Sequence, residues 1–362
     1  YQETSSRVSG SEIISSNSKT SYNGNYGLNA SWTLYNGNKR LKTIQQEKLN
    51  NQVAELDVAT SENNIQESIA QVYIQILYAA ESVKVNESTL QVSIAQRDRG
   101  QELLNAGSIA KSDFAQLEAQ VSTDRYQLVT AQATLEDYKL QLKQLLELDG
   151  ENEMNIYLPA LSDENVLAPL PTKKDVYIRA LSLRPEIEAS KLNVEASELG
   201  IGIAKSSYLP TISLSAGIGT NHTSGSDFTF GEQVKNGWNN SIGLSVSVPI
   251  FNNRQTKSAV QKAKLQYETS MLSLLDEQKT LYKTIEGLWL DANSAQQRYA
   301  AANEKLKSTQ ISYELISEQF NLGMKNTIEL LTEKNNLLQA QQEQLQAKYM
   351  AILNTQLLKF YQ

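Results

Sequence analysis

The chain has 362 residues, of which 40% are hydrophobic and 20% charged, with a net charge of −7 and no cysteine. This composition excludes thiol catalysis and a disulfide scaffold, and no window gathers enough Lys and Arg to form a phosphate-binding face, so nucleic acid is not an expected partner. No run of about 18 apolar residues exists, so the only route into a membrane is through strands.

Taken in order, residues Tyr1 to Asn23 are rich in Ser, Asn and Gly and read as exposed loop, with a strand expected around Tyr1 to Thr4. Leu28, Ala30, Trp32 and Leu34 then alternate with Asn29, Ser31 and Thr33, the period of a strand with one apolar and one polar face. Asn36-Gly37 is a turn, and a helix is expected from Lys39 to Asn105, since Gly100 is the one breaker and no proline intervenes. Such a helix is about 100 Å long at 1.5 Å per residue. Ile65, Ile69, Val72, Ile76, Ala79 and Val83 step by fours and threes, which is a coiled-coil seam. After Ala106-Gly107 the seam resumes with Phe114, Leu117, Val121, Asp124, Leu128, Ala131, Leu135, Tyr138, Leu142 and Leu145, so the two helices form an antiparallel hairpin.

A proline-rich linker follows, with Pro159, Pro169 and Pro171, then short helices over Lys173 to Leu183 and Pro185 to Ser206. Ile212, Leu214, Ala216 and Ile218 alternate with Ser213, Ser215, Gly217 and Gly219, another two-faced strand. Thr220 to Asn240 reads as loop, and Ile242, Leu244, Val246 and Val248 make a further strand. A second long seam runs through Leu281, Ile285, Leu288, Ala292, Ala295 and Tyr299, turns at Leu322-Gly323, and returns with Leu331, Leu338, Leu345 and Ile352.

Tyr35 aligns with Phe251, an offset of 216 (251 minus 35). The same offset pairs Gly27 with Gly243, Leu90 with Leu306, Gly107 with Gly323 and Leu142 with Leu358. The chain therefore reads as an internal duplication of one large unit. Tyr1 falls opposite Gly217 in mid-strand, so the sequence is expected to lack its original N-terminus and, with it, its targeting information. Four two-faced strands are too few to close a barrel, so one is expected to assemble from several copies, with the helical hairpins extending it.

The Leu34-Tyr-Asn-Gly37 and Ile250-Phe-Asn-Asn253 junctions, Leu183-Arg184-Pro185-Glu186-Ile187, Ala204 to Ser215 with Tyr208-Leu-Pro210, and the two Gly turns occur here in one order and spacing. In these the chain resembles the TolC family, outer membrane channels of Gram-negative efflux pumps and type I secretion systems. The resemblance implies an α+β membrane protein: a homotrimer whose twelve-stranded β-barrel, four strands per chain, continues into an α-helical coiled-coil barrel reaching into the periplasm. It divides the chain into barrel strands and external loops (1–36 and 207–252), a first long hairpin (37–148), a linker with short equatorial helices (149–206) and a second long hairpin (253–362). Its partners are outer membrane lipid, a periplasmic adaptor and an inner membrane transporter. The hairpin tips at Gly107 and Gly323 are implied to dock the adaptor, contacts between Ser112, Asp113, Phe320 and Lys325 to gate the closed end, and Glu329 to stand in an acidic ring at the tunnel entrance. Phe320 replaces a tyrosine usual in the family, Lys325 an arginine, and Thr332 the second acid of the ring.

The main alternative is a coiled-coil structural or adhesive envelope protein, for which strands polar on one face and apolar on the other have no use. Enzymatic readings are weak. His222 lies in a Ser-rich segment without a partner, Ser108-Ile-Ala-Lys111 matches a serine acyl-enzyme motif at a hairpin tip without companion motifs, and Gly217-Ile-Gly219 lacks the third glycine of a nucleotide fingerprint. No catalytic, metal or cofactor site is assigned.

Overall fold

The computed structural model describes residues 22–148, 156–157 and 166–362. The strand expected around Tyr1 to Thr4 and most of the proline-rich linker lie outside these residues. The described elements are β1 (Asn23–Asn36), α1 (Lys39–Asn105), α2 (Lys111–Leu145), α3 (Lys173–Leu183), α4 (Pro185–Ser206), β2 (Thr211–Thr223), α5 (Phe230–Asn236), β3 (Asn239–Ser247), α6 (Gln255–Asn321) and α7 (Thr327–Phe360).

α1 and α6 both contain 67 residues, and the bounds of α6 are those of α1 displaced by 216. Their surroundings match as well. Gly37 and Asn38 ahead of α1 have φ of 68° and 63°, and Asn253 and Arg254 ahead of α6 have φ of 54° and 62°. Each long helix thus begins after two consecutive left-handed residues, a sharp change of direction that glycine and asparagine tolerate best. At Gly37 a side chain is excluded on steric grounds too, since a Cβ would come within 2.7 Å of the Ser206 carbonyl oxygen.

The chain divides into two compact units. One comprises the residues up to Asn51 with Leu192–Met271, the other Gln52–Lys191 with Leu272–Gln362. In the first, β1, β2 and β3 form an antiparallel sheet in that order. The start of α1 is tied to α4 through Gln46 Nε2, which donates to the Ala196 carbonyl at 2.8 Å, and Lys42 Nζ, which donates to that of Gly202 at 3.3 Å.

The second unit is helical, and many of the heptad positions read from sequence lie in its interior, with two departures: Ile65 is 49% exposed, and on α7 Leu330 rather than the expected Leu331 is the buried residue. Ile76, Leu117, Ile285, Leu330 and Leu358 are almost wholly buried, and Leu77, Ala295, Tyr299, Leu345, Ala351 and Ile352 pack with Val166 in one cluster. α3 and the first turn of α4 cap a second cluster, in which Val176, Ala180 and Ile187 meet Leu281, Ile285, Leu358 and Tyr361. The Leu-Arg-Pro-Glu-Ile motif works here. Pro185 opens α4, Arg184 Nε donates to Glu186 Oε1 at 2.7 Å, and the guanidinium lies 4.4 Å from the Tyr361 ring centre, a cation–π contact inside the cluster.

Two features of the β2–β3 connection differ from the sequence reading. β2 continues to Thr223, so His222 lies on a strand opposite Gly24, with its ring 5.0 Å from that of Phe230, rather than in a loop. The segment expected to be loop also holds α5, nucleated by a capping box: the Thr229 hydroxyl accepts from the Glu232 amide and the Glu232 carboxylate accepts from that of Thr229. Seven residues are too few for a hydrophobic period to show.

Candidate functional site

The sheet is the first candidate. Its register aligns apolar residues across all three strands: Ala30 opposite Ala216 opposite Ile242, and Trp32 opposite Leu214 opposite Leu244, with Leu28 opposite Ile218 and Ile212 opposite Val246 beyond them. Side chains alternate between faces, so these rows share one face. The other face carries Asn29, Gly217 and Ser241, then Ser31, Ser215 and Gly243, then Thr33, Ser213 and Ser245. The register slips between Thr33 and Tyr35, which makes Leu34 the extra residue of a bulge and puts Tyr35 in the apolar row opposite Ile212. The alternation read from sequence therefore holds to Thr33 and reverses at the bulge.

The apolar face is uncovered among the described residues. Trp32 is 66% exposed, Leu244 65% and Ile242 84%. An apolar face of this kind, continuous over three strands, marks a surface that meets lipid or another molecule. β1 and β3 are both edge strands among the described residues, each with one row of unpaired backbone groups.

The hairpin tips, in the other unit, are a separate candidate. Gly107 and Gly323 have φ of 74° and 72°, and a Cβ on either would meet nothing within 4 Å. Each completes the same C-terminal motif: Gly107 N–H donates to Leu104 O and Ser108 N–H to Leu103 O, as Gly323 N–H does to Phe320 O and Met324 N–H to Gln319 O. These are Schellman caps, in which the left-handed glycine lets two amides fold back on the last turn. Leu322, Met324 and Ile328 are exposed around the second tip.

Beyond the turns, Asp113 and Glu329 occupy matching positions and do the same local work. The Asp113 carboxylate accepts from the Ala110 amide at 3.3 Å, and Glu329 Oε2 accepts from the Asn326 amide at 3.1 Å. Lys325 Nζ lies 2.5 Å from Glu329 Oε1, and the Glu329 side chain is 40% exposed. The hydrogen bond from Lys325, with that from the Asn326 backbone, holds the Glu329 carboxyl below its ordinary pKa. Phe320 is buried and Ser112 exposed. Within one chain Lys325 therefore engages Glu329, and Asp113 engages the start of its own helix.

One constellation was not singled out in the sequence. Lys334 Nζ on α7 donates both to Ser93 Oγ on α1 and to Asp124 Oδ2 on α2; the Ser93 hydroxyl donates to the same carboxylate oxygen, and Gln120 Nε2 donates to Asp124 Oδ1 at 2.9 Å. All three side chains are within a few per cent of complete burial. Burial pushes the Lys334 ammonium down from its ordinary pKa, against the opposing pull of Asp124. The signal was present as an aspartate standing in an otherwise apolar heptad seam.

Comparison with known proteins places this geometry. The family model described as outer membrane efflux protein matches residues 1–147 and 176–360. The chain is 24% identical over 290 residues to the outer membrane efflux protein BepC of Brucella suis biovar 1, covering 80% of this chain and 60% of BepC. It is 23% identical over 311 residues to the outer membrane protein TolC of Escherichia coli K12, covering 83% of this chain and 62% of TolC. The chain thus spans about 60% of the length of these curated relatives. Among solved structures it resembles CusC, with a TM-score of 0.78 and 18% identity over 93% of this chain and 80% of that one. It resembles VceC of Vibrio cholerae with a TM-score of 0.75 and 15% identity, covering 94% and 87%. The chain belongs to the outer membrane efflux protein family.

Proposed function

We propose that the chain is the subunit of an outer membrane channel that conducts small molecules or proteins from the periplasm to the exterior. The observation that carries this reading is the three-stranded sheet, apolar and exposed on one face and lined with Ser, Gly, Asn and Thr on the other. In lipid the open edges of β1 and β3 must be paired, because an unsatisfied backbone group in hydrocarbon costs several kcal/mol. Closure needs more strands than the chain supplies, and a homotrimer with four strands per chain gives a barrel of twelve with lipid outside and water within. The matching bounds of α1 and α6, and of the left-handed residues before them, support a duplicated unit that contributes two hairpins per chain to a helical tube.

The hairpin tips are the docking surface for a periplasmic adaptor that links the channel to an inner membrane transporter. Gly107 and Gly323 leave open space there, and Leu322, Met324 and Ile328 supply apolar contact. In the closed tube, Lys325 leaves Glu329 to reach Ser112 or Asp113 across a seam and Phe320 packs behind it, while the Glu329 carboxylates of three copies form an acidic ring. Single-channel recording in planar bilayers tests the reading. The trimer is expected to carry cation-selective current; a detergent-purified protein that inserts and carries none refutes it. A scaffold gives no role to the lipid-type face and is not retained.

A further inference from the structure

Between α6 and α7 lies a recess of about 540 Å³, a size in the range of small-molecule sites. Ala295, Ala302 and Ala347 line it with small apolar groups, and Met350 adds a flexible thioether. Its sequence sets it apart from the first hairpin. Displacing its positions by 216 puts Tyr78 where Ser294 stands and Tyr138 where Asn354 stands, so two bulky rings in the first hairpin become small polar side chains in the second. The charges differ in the same way. Gln75, Ser82 and Gln127 match Asp291, Arg298 and Glu343, so the charges of the recess belong to the second hairpin alone.

Glu343 is already engaged, accepting from Lys305 Nζ at 2.6 Å and from Gln339 Nε2 at 2.9 Å. Asp291 and Arg298 are exposed and have no ion pair or hydrogen bond among the described residues. Seven residues apart on α6, they share one side of the helix about 10 Å from each other along its axis, with Ala295 between them. The recess also has a direction. Gln296 Nε2 donates to the Val166 and Ala168 carbonyls and Trp289 Nε1 to that of Pro171, so this side of α6 faces the linker. At about 100° per residue, Asp291, Ser294 and Arg298 fall on the opposite side. Three copies of the linker and α3 would obstruct a conducting lumen, so in the channel reading they take the outside and the recess opens inward.

We propose that this recess is a cargo subsite in the tunnel wall, and that it takes small amphiphiles bearing an ammonium and a carboxylate about 10 Å apart on an apolar body, the ammonium at Asp291 and the carboxylate at Arg298. Its part in transport rests on the channel reading. The guanidinium accommodates a carboxylate in two parallel hydrogen bonds, and the alanine and methionine side chains cover the apolar body. Amphiphiles of a single charge satisfy one end only.

The chain has no native cysteine, so Ser294→Cys places a single thiol in the recess. Its reaction with a neutral methanethiosulfonate is followed in the full chain purified in non-ionic detergent, with 8-aminooctanoic acid as protectant, whose charges lie a comparable distance apart when it is extended. This probe is expected to protect at about fivefold lower concentration than octanoic acid or octylamine, the factor that one further exposed ion pair supplies at most. Equal protection by all three, protection by none, or a thiol that never reacts in the folded chain overturns the proposal. In the same background Asp291→Asn and Arg298→Gln change exposed side chains, and each is expected to remove the advantage, the first leaving protection by octanoic acid unchanged and the second that by octylamine. An advantage that survives either substitution overturns the charge assignment. Single-channel recording separates this proposal from the reading beneath it. Protection in a protein that inserts and carries no current would refute the channel and leave the binding site standing, whereas a conducting protein without protection would refute the subsite alone.

Discussion

The two faces of the sheet make opposite predictions for neighbouring residues on β3. Leu244 stands in the central apolar row with Trp32 and Leu214 and is 65% exposed, whereas Ser245, next in sequence, stands in the polar row with Thr33 and Ser213. In the channel reading Leu244→Arg puts a guanidinium against hydrocarbon. An arginine near the bilayer midplane of a barrel costs about 2–4 kcal/mol, and three copies in one barrel bring this to about 6–12 kcal/mol if the sites act independently. That is comparable to the whole stability of a typical domain. Ser245→Arg adds the same charge to the water-filled side, where no such cost arises and the effect is on selectivity. The assay is insertion into lipid vesicles, scored by protection of the barrel from protease and by trimer on gels. Leu244→Arg is expected to fail insertion, and Ser245→Arg to insert normally with a lowered preference for cations. Normal insertion of Leu244→Arg together with failure of Ser245→Arg would reverse the faces and refute the assignment.

Gly107→Trp and Gly323→Trp force a bulky residue into φ near +70° at a cost of about 1–2 kcal/mol each, with no neighbour to clash against; trimers are expected to survive while efflux in cells is lost, and unimpaired efflux in both would contradict tip docking. Because the Lys325 hydrogen bond lowers the Glu329 pKa, the carboxylate stays charged to lower pH than an ordinary glutamate; Lys325→Ala is expected to raise the pH at which cation preference is lost, read from reversal potentials over a pH series, and a shift downward or none would contradict the pairing. Arg184→Leu removes the partner of Glu186 and the contact with Tyr361 inside a buried cluster; a loss of about 3 kcal/mol is expected in thermal unfolding, and a change below about 0.5 kcal/mol, the range of ordinary surface substitutions, would show the motif to be dispensable.

Much of this architecture was legible because it is periodic. A 67-residue helix repeats its seam often enough for Lys39 and Asn105 to be read as its ends, and a two-faced strand declares itself through Leu28, Ala30 and Trp32. Local devices without a period were hidden. α5 rests on the reciprocal caps of Thr229 and Glu232, and the bulge at Leu34 changes the face of Tyr35 through a register slip that only the pairing with β2 reveals. The tip positions stand out through the repeat and a family resemblance, whereas the pairing of Lys325 with Glu329 one turn away depends on side-chain geometry at the start of α7 that neither of these carries. The buried Asp124–Lys334 pair was half visible. Asp124 occupies a seam position in the sequence, yet its partner Lys334 is 210 residues away, and nothing along the chain connects them before it folds.

The central claim is that three copies of this chain close one barrel, and the protein mass of the detergent-purified complex tests it most directly. Light scattering with the detergent contribution subtracted is expected to give about 121 kDa, three times the 40.3 kDa of the chain. A stable mass of one or two chains in detergent, with the sheet still folded by circular dichroism, would contradict it.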